Sequence, residues 1–373
     1  MLWADGCGKY TAMKLGLIRR QYSTTGGAEL YLQRLLVALR EAGHELHLFA
    51  ESWNSQPEAV QLHPVKVNAD RASRPLRFAE AVRREVARHD FDCVFSLERT
   101  LQQDVYRAGD GLHRVWLKRR RQFAPWWRKP FVARGAFHRN MRDLEAHTFD
   151  KKNTRHIIVN SEMVRAEILE HFNFPAERIH LVRNGIEVER FQGGNRETVR
   201  KRLGIQADEY VMLFVGSGWE RKGLKFFLQA YRGLALKNVR ALIVGKGRPP
   251  IFTVKGAIYT GTMPEIANAY AAADLLVFLP IYEPSSNVVA EALAAKLPVI
   301  TTRFNGAAEL IREGKTGSVI QDPSDTQSVI RAIEHWQAHR GKNENTPDLD
   351  LTLERNVTET MEILNLAAAD KKQ

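Results

Sequence analysis

The chain has 373 residues, 44% hydrophobic and 26% charged, with 25 Gly and 14 Pro. That length suits two domains of ordinary size, and the composition excludes disorder, a collagen-like repeat and a disulfide-built miniprotein. Its 55 Lys and Arg against 43 Asp and Glu leave a net charge of +12, an excess that asks for an anionic partner or a membrane surface.

Cys7 and Cys93 are the only cysteines, and neither belongs to a Cys-x-x-Cys or Cys/His spacing, so a disulfide framework and a structural zinc site are both excluded. A reducing compartment follows. Met1 to Ala12 has no basic start, apolar core or cleavage site and does not read as a signal peptide. Met13-Lys14-Leu15-Gly16-Leu17-Ile18 reads as the native start, running straight into a strand, with residues 1–12 an extension. No apolar run approaches the roughly 18 residues of a spanning helix.

Short apolar runs rich in β-branched residues alternate with helical patterns. They predict strands over Leu15–Ile18, His44–Ala50, Cys93–Leu97 and His156–Asn160, then Val211–Val215, Val239–Val244, Leu275–Leu279 and Val299–Thr301. Strands separated by helices pair in parallel, so the fold class is α/β. After the first strand, Tyr22-Ser23-Thr24-Thr25-Gly26-Gly27-Ala28-Glu29 opens a helix. Gly26 and Gly27 let backbone approach a ligand, and amides at a helix start favour phosphate. Glu51 ends the second strand, where a nicotinamide dehydrogenase keeps its ribose-binding acid, but the first loop lacks G-x-G-x-x-G. Asp90-Phe91-Asp92 imitates a metal-binding Asp-x-Asp, yet it precedes its strand and so lies at the wrong end of the sheet; helix-to-strand capping explains it better. Further on, Asp104 to His113 ends in Asp110, an acid between Gly109 and Gly111, which suits either a turn former or a ligand contact, with His113 beside it.

From Arg114 to Arg142 ten cations, Arg114, Lys118, Arg119, Arg120, Arg121, Arg128, Lys129, Arg134, Arg139 and Arg142, occur with no acid among them. Trp116, Phe123, Trp126, Trp127, Phe131 and Phe137 interleave with them. Cations with aromatics also make nucleic-acid stripes, but a solvated basic face has no use for three tryptophans, and the segment is assigned to an anionic membrane surface. The basic residues match no known nucleic-acid reader module, so a nucleic-acid partner is not expected.

The strand rhythm pauses at His180-Leu181-Val182-Arg183-Asn184-Gly185-Ile186, and the Asn-Gly turn there sets the boundary between domains 13–185 and 186–350. In the second domain, Phe214-Val215-Gly216-Ser217-Gly218-Trp219-Glu220-Arg221-Lys222-Gly223 is a strand entering a glycine turn with two cations at the next helix. It is no Walker loop, because Leu224-Lys225 replaces Lys-Ser or Lys-Thr. Arg221 and Lys222 are placed to neutralise a diphosphate without a metal. Between Gly247 and Ala257, Pro249-Pro250 leaves room only for a loop where a crossover helix is usual. Glu283-Pro284-Ser285-Ser286-Asn287-Val288-Val289-Ala290-Glu291 then follows a buried strand, with Pro284 at a helix start, Ser285 or Ser286 as its cap, Glu283 at the strand's carboxyl end and Glu291 inside the helix. The carboxyl end of a parallel sheet is where ligands bind.

The strand, acid, capped helix, acid, strand arrangement resembles the retaining family 4 glycosyltransferases of the GT-B type, and the resemblance extends over nearly the whole chain from Met13. It implies two Rossmann-like domains facing across a cleft, with a C-terminal helix over 353–369 packing back on the first. It implies that Glu283 contacts the donor sugar hydroxyls, that Glu291 grips the nucleotide ribose, and that Arg221 and Lys222 bear on the diphosphate. Gly216, Ser286 and Asn287 belong to the same donor site, and Gly26 and Gly27 lie against the donor phosphates. The family usually has Phe-Gly where this chain has Ser285-Ser286. Lipopolysaccharide core glucosyltransferases look similar around Asp110, which implies that Asp110 touches the sugar or the acceptor hydroxyl. The implied reaction moves a hexose, glucose, from a UDP-sugar co-substrate to a lipid-linked saccharide, with no metal and no cofactor, in the cytoplasm at the inner face of the cell membrane.

Overall fold

The computed structural model describes residues 11–22, 27–53, 59–249, 254–341 and 351–372. Cys7 with most of the leader, Gly26, and the middle of the Gly247–Ala257 connection lie outside the described residues. The chain divides into two units, Met1–Gly185 with Leu353–Gln373, and Ile186–Thr352.

The first unit runs β1 (Lys14–Ile18), β2 (Gln21–Tyr22), α1 (Gly27–Glu41), β3 (Glu45–Ala50), β4 (Ser52–Trp53), β5 (Gln61–Pro64), α2 (Arg74–Val86), β6 (Cys93–Ser96), β7 (Gln103–Arg107), α3 (His113–Phe123), α4 (Ala136–Thr148), β8 (Thr154–Val159), α5 (Glu162–His171) and β9 (Ile179–Leu181). Seven of these strands form one parallel sheet in the order β5-β3-β1-β6-β7-β8-β9, as α/β alternation requires. The apolar runs become its centre: Leu15, Leu17, Leu48, Cys93 and Phe95 are all buried.

Among the strands that the apolar runs did not predict, β9 and β7 are informative. β9 overlaps the start of the stretch read as a pause, as an edge strand of three residues paired with β8. β7 reads as polar, yet every one of its residues is buried. Its polar atoms are matched instead of avoided. Asp104 accepts from the Val94 amide at 2.8 Å and pairs with Arg155 at 3.1 Å. The Gln103 amide bonds Thr100 and Thr154, and Arg107 donates to Asn184 Oδ1 at 3.1 Å while its guanidinium lies 4.2 Å from the Tyr31 ring centroid.

The second unit runs α6 (Val188–Gln192), α7 (Arg196–Arg202), β10 (Tyr210–Val215), α8 (Trp219–Lys222), α9 (Leu224–Gly233), β11 (Val239–Val244), β12 (Ala257–Gly261), α10 (Ile266–Ala272), β13 (Leu275–Val277), α11 (Asn287–Ala294), β14 (Val299–Thr302), β15 (Gly317–Ile320) and α12 (Thr326–Ala338). Its parallel sheet has the order β12-β11-β10-β13-β14-β15.

The last helix, α13 (Leu353–Lys371), returns to the first unit. Val357, Leu364, Ala367 and Ala368 share a core with Leu35, Leu39, Phe95 and Val105. Polar contacts fix its end: His156 Nε2 lies 2.9 Å from Asp370 Oδ2 while its Nδ1 meets His180 Nε2 at 3.0 Å, and Lys371 Nζ donates to the Phe91 carbonyl at 2.8 Å. No helix among the described residues is long and apolar enough to cross a membrane.

At the amino end of the second sheet, Asp274 is held by three arginines: Arg196 at 2.7 Å, Arg200 at 2.8 Å and Arg340 at 3.1 Å. The Asp274 and Arg200 side chains are each 7% exposed. Removing one partner of a buried pair strands the other charge, so Asp274→Ala is expected to lower unfolding free energy by about 3 kcal/mol. Urea titration of wild type and variant checks this, and a loss below about 1 kcal/mol, the size of a surface pair, contradicts it.

Candidate active site

In the second unit the strand order reverses between β10 and β13, so the chain leaving these two strands opens a crevice at the carboxyl edge of the sheet, the place where open α/β sheets bind ligands. Two loops occupy it. The first leaves β10 at Gly216, turns through Gly218 into α8 and enters α9 at Gly223. Gly216 has a φ of 147°, and a Cβ there would stand 2.5 Å from Cδ of Lys222. The lysine stem therefore folds back against the glycine, which leaves its ammonium 5.4 Å from the Phe278 ring centroid.

Arg221 stitches this loop to the one leaving β13. Its carbonyl accepts from the Ile281 amide at 2.9 Å, and its Nε donates to the Tyr282 carbonyl at 2.8 Å and lies 3.9 Å from Glu283 Oε2. Glu283 itself does not stand at the end of a strand as its sequence position suggests. β13 stops at Val277, and Glu283 lies beyond it in a short parallel bridge to Asn305, its amide donating to Phe304 and its carbonyl accepting from Gly306, each at 2.8 Å. The Glu283 side chain is 17% exposed.

The entry to α11 also differs from expectation. Ser286 occupies the N-cap position but makes no side-chain cap bond, and Pro284 precedes the helix instead of opening it. The cap's work falls to Asn305, a residue the motif reading missed. Its Oδ1 accepts from the amides of Ser286 at 3.3 Å and Ala307 at 3.1 Å, and its Nδ2 donates to Thr301 Oγ1 at 3.0 Å. Ser286 is 5% exposed, and its hydroxyl has no hydrogen-bond partner among the described residues. A buried donor left unmatched is costly unless a ligand supplies the acceptor.

Inside α11, Glu291 accepts from the Tyr270 hydroxyl at 2.6 Å. Burial pushes its carboxyl above the ordinary range, and the Tyr270 hydrogen bond, Arg190 of α6 and Lys222 pull partly against that shift. Gly216, Arg221, Lys222, Glu283, Ser286, Asn287 and Glu291 are thus brought to one edge of one sheet.

Gly27 and Asp110 belong to the first unit: Gly27 opens α1, and Asp110 is exposed in the turn after β7. The order of that sheet reverses between β1 and β6, and there lies Glu98, a second residue that sequence reasoning missed. It pairs with Arg19 Nη1 at 3.3 Å and accepts from the Arg20 amide at 3.3 Å, and burial raises its pKa. Glu51 is held by Arg74 at 3.5 Å and Arg20 at 3.9 Å, which fills the position a dehydrogenase reserves for ribose. Asp92 Oδ2 accepts from the Lys14 amide at 2.8 Å, tying strand starts together. His113 Nε2 meets His138 Nδ1 at 3.1 Å, and burial, Arg99, His138 and Arg142 together push its pKa down to about 4. No group of three or more His, Cys, Asp or Glu among the described residues is arranged to hold a metal ion.

The basic segment forms α3, a short turn and α4. Trp126 is 82% exposed and Phe131 63%, with the Arg128 guanidinium 4.6 Å from the Trp127 ring centroid and that of Arg134 5.1 Å from Phe131.

Residues 25–190 match the model of Glycosyltransferase Family 4, and residues 209–339 match that of Glycosyl transferases group 1. The lipopolysaccharide glucosyltransferase WaaG of Escherichia coli (strain K12) is 24% identical over 330 residues, covering 84% of this chain and 86% of that protein. The crystal structure of WaaG, a glycosyltransferase involved in lipopolysaccharide biosynthesis, superposes with a TM-score of 0.74 at 22% identity, covering 95% of this chain and 98% of that one. Anabaena HepE, solved in complex with UDP and glucose, has a TM-score of 0.66 at 16% identity over 96% of this chain and 99% of that one.

The Tyr270 contact yields a titration test. Its hydroxyl favours ionised Glu291, so Tyr270→Phe is expected to move the Glu291 midpoint further up, away from the ordinary carboxylate range. Carbon-13 NMR of the carboxyl across a pH series reads the midpoint; a fall, or no change, contradicts the assignment.

Proposed function

Because the chain is a nucleotide-sugar-dependent glycosyltransferase of family 4 with the GT-B fold, two Rossmann-like domains, we propose that it transfers glucose from a UDP donor, with retention of anomeric configuration, to a hydroxyl of a lipid-linked saccharide such as the lipopolysaccharide core. The observation that carries this reading is the stitched pair of loops at the β10/β13 reversal, which sets two cations, Glu283 and an unmatched buried hydroxyl ahead of α11, with Glu291 inside that helix. The similarity to WaaG, a lipopolysaccharide glucosyltransferase, and to HepE, solved with UDP and glucose, supports the choice of sugar, nucleotide and acceptor class.

Each group has a chemical task. The Glu291 carboxyl oxygens accept hydroxyl donors, as a ribose supplies them, and Tyr270 orients the group. The start of α11 and the unmatched Ser286 hydroxyl suit phosphate oxygens, with Gly216 and Asn287 alongside. Glu283, its backbone fixed on both sides, accepts from donor sugar hydroxyls. Departure of UDP concentrates charge on the diphosphate, and Lys222 and Arg221 stabilise that charge, which makes a metal unnecessary. In the first unit, Gly27 at the start of α1 is assigned to phosphate, and Asp110 to the sugar or the acceptor hydroxyl. The leaving phosphate takes the proton of the incoming hydroxyl, since no side chain in the constellation is an evident covalent nucleophile.

Replacing Lys222 or Glu283 by Ala is expected to lower kcat about 100-fold, the effect of losing one transition-state charge partner, with little change in thermal midpoint. EDTA leaves turnover intact. The assay is UDP release from UDP-glucose with and without acceptor; full turnover in either variant, or loss with EDTA, rejects the site.

The ten cations and exposed aromatics of residues 114–142 suit the anionic inner face of a cell membrane, where a lipid-linked acceptor resides. Each cation near such a surface contributes about 1 kcal/mol. Liposome flotation is expected to show binding with anionic lipid that weakens with salt and falls in the Trp126→Ser/Trp127→Ser double variant. Equal flotation with neutral lipid, or retention on duplex DNA in place of vesicles, rejects the membrane assignment.

A further inference from the structure

Asp110 is an exposed side chain on a backbone that has no freedom. It stands in the turn from Ala108 to Gly111, closed by the Gly111 amide donating to the Ala108 carbonyl at 3.2 Å. Both flanking glycine carbonyls are taken by buried side chains from other elements. Asn160, 3% exposed at the end of β8, donates from Nδ2 to the Gly109 carbonyl at 3.3 Å. Arg99, its side chain 9% exposed, donates from Nη2 to the Gly111 carbonyl.

Arg99 is in turn braced from beneath. The Glu145 carboxylate, projecting from α4 and 0% exposed, lies 3.9 Å from Arg99 Nη2. It also accepts from the backbone amides of His113 and Arg114, the first residues of α3, and from Arg114 Nε at 3.3 Å. A carboxylate at this depth is tolerable only with such a set of partners around it. Glu145 therefore consumes the amides that open α3, so that helix start is no anion site. What it leaves accessible is the Asp110 carboxylate, carried on a turn clamped from both sides.

We propose that Arg99, braced by Glu145, and Asn160 are positioning residues for the transfer: by holding the Gly111 and Gly109 carbonyls they fix where the Asp110 carboxylate points. This rests on the reading that Asp110 meets the sugar or the acceptor hydroxyl. Catalytic geometry tolerates errors of only about 0.5 Å, so loosening either clamp lowers turnover without removing a group that touches substrate. Lysine cannot replace Arg99, because its single ammonium lacks the planar fork that reaches Gly111 while facing Glu145.

A double-mutant cycle on the full chain tests this, with UDP-glucose as donor and lipopolysaccharide truncated at the inner core as acceptor probe. Arg99→Lys keeps the charge beside Glu145 and is expected to lower kcat about tenfold, with the KM for UDP-glucose unchanged within about twofold. Asp110→Asn lowers kcat further, and the Arg99→Lys/Asp110→Asn double variant is no slower than Asp110→Asn alone, since the clamp acts only through that carboxylate. Wild-type kcat in Arg99→Lys, or losses that multiply in the double variant, overturn the proposal while the Asp110 reading stands. Wild-type kcat in Asp110→Asn overturns that reading and the positioning role with it. Asn160→Ala runs the same cycle from the other flank if Arg99→Lys does not fold.

Discussion

Gly223 admits no side chain: a Cβ there would lie 1.7 Å from the carbonyl oxygen of Leu279. Backbone thus touches backbone where the start of α9 meets the chain leaving β13, and the placement of the site's two cations follows from that contact. With α8 pressed onto the exit of the strand, the Arg221 main chain is within reach of Ile281 and its guanidinium within reach of Tyr282. Lys222, one residue before the contact, has only the face of Gly216 to lie on. The carboxylates are placed by a separate device, the pairing of Glu283 with Phe304 and Gly306 and the burial of Asn305 beneath the start of α11.

The first unit relies on carboxylates matched with arginine below the surface. Asp104, Glu98 and Glu145 each meet at least one backbone amide and at least one guanidinium. Pairs of this kind add little net stability relative to an apolar core, but they forbid any arrangement that separates the partners. Each therefore fixes register: Asp104 joins β7 to the start of β6 and, through Lys371, to the end of α13, while Glu145 joins α4 to the start of α3. A helix distant in sequence is held to the first unit by the same logic, since Asp370 reaches His156 only when Leu364 and Ala367 are seated in the core.

This division explains what could be read from the sequence. Apolar runs such as Leu15–Ile18 and Val239–Val244 gave the strands, the alternation with helices gave the parallel α/β architecture, and the GT-B form came from the family resemblance. The glycine turn with Arg221 and Lys222, and the paired acids Glu283 and Glu291, were visible because their residue types recur at short spacing. β7 was not visible, because hydropathy counts Gln103, Asp104 and Arg107 as surface residues, and only tertiary partners reveal them as buried. Asn305 and Glu145 escaped for a related reason. Each acts on a backbone amide distant in sequence, Asn305 on Ser286 and Glu145 on His113, and no local pattern encodes such a bond.

The surface of α3 and α4 is the counterpart of this buried pairing. Across residues 114–142 the cations have no acid of their own segment to answer them, and the nearest interior carboxylate, Glu145, is already committed to Arg114 and the start of α3. Isolated exposed aromatics are ordinary on soluble proteins. Here they are not isolated: Trp127 and Phe131 each carry an arginine over the ring face, so cation and aromatic are presented together. Stacking of this kind is weak in water and strengthens where the pair is partly desolvated beside anions. The stacked pairs Arg128–Trp127 and Arg134–Phe131 are therefore those that gain most at a headgroup layer, and Glu145 ties α4 to the start of α3, beside the turn that carries Asp110.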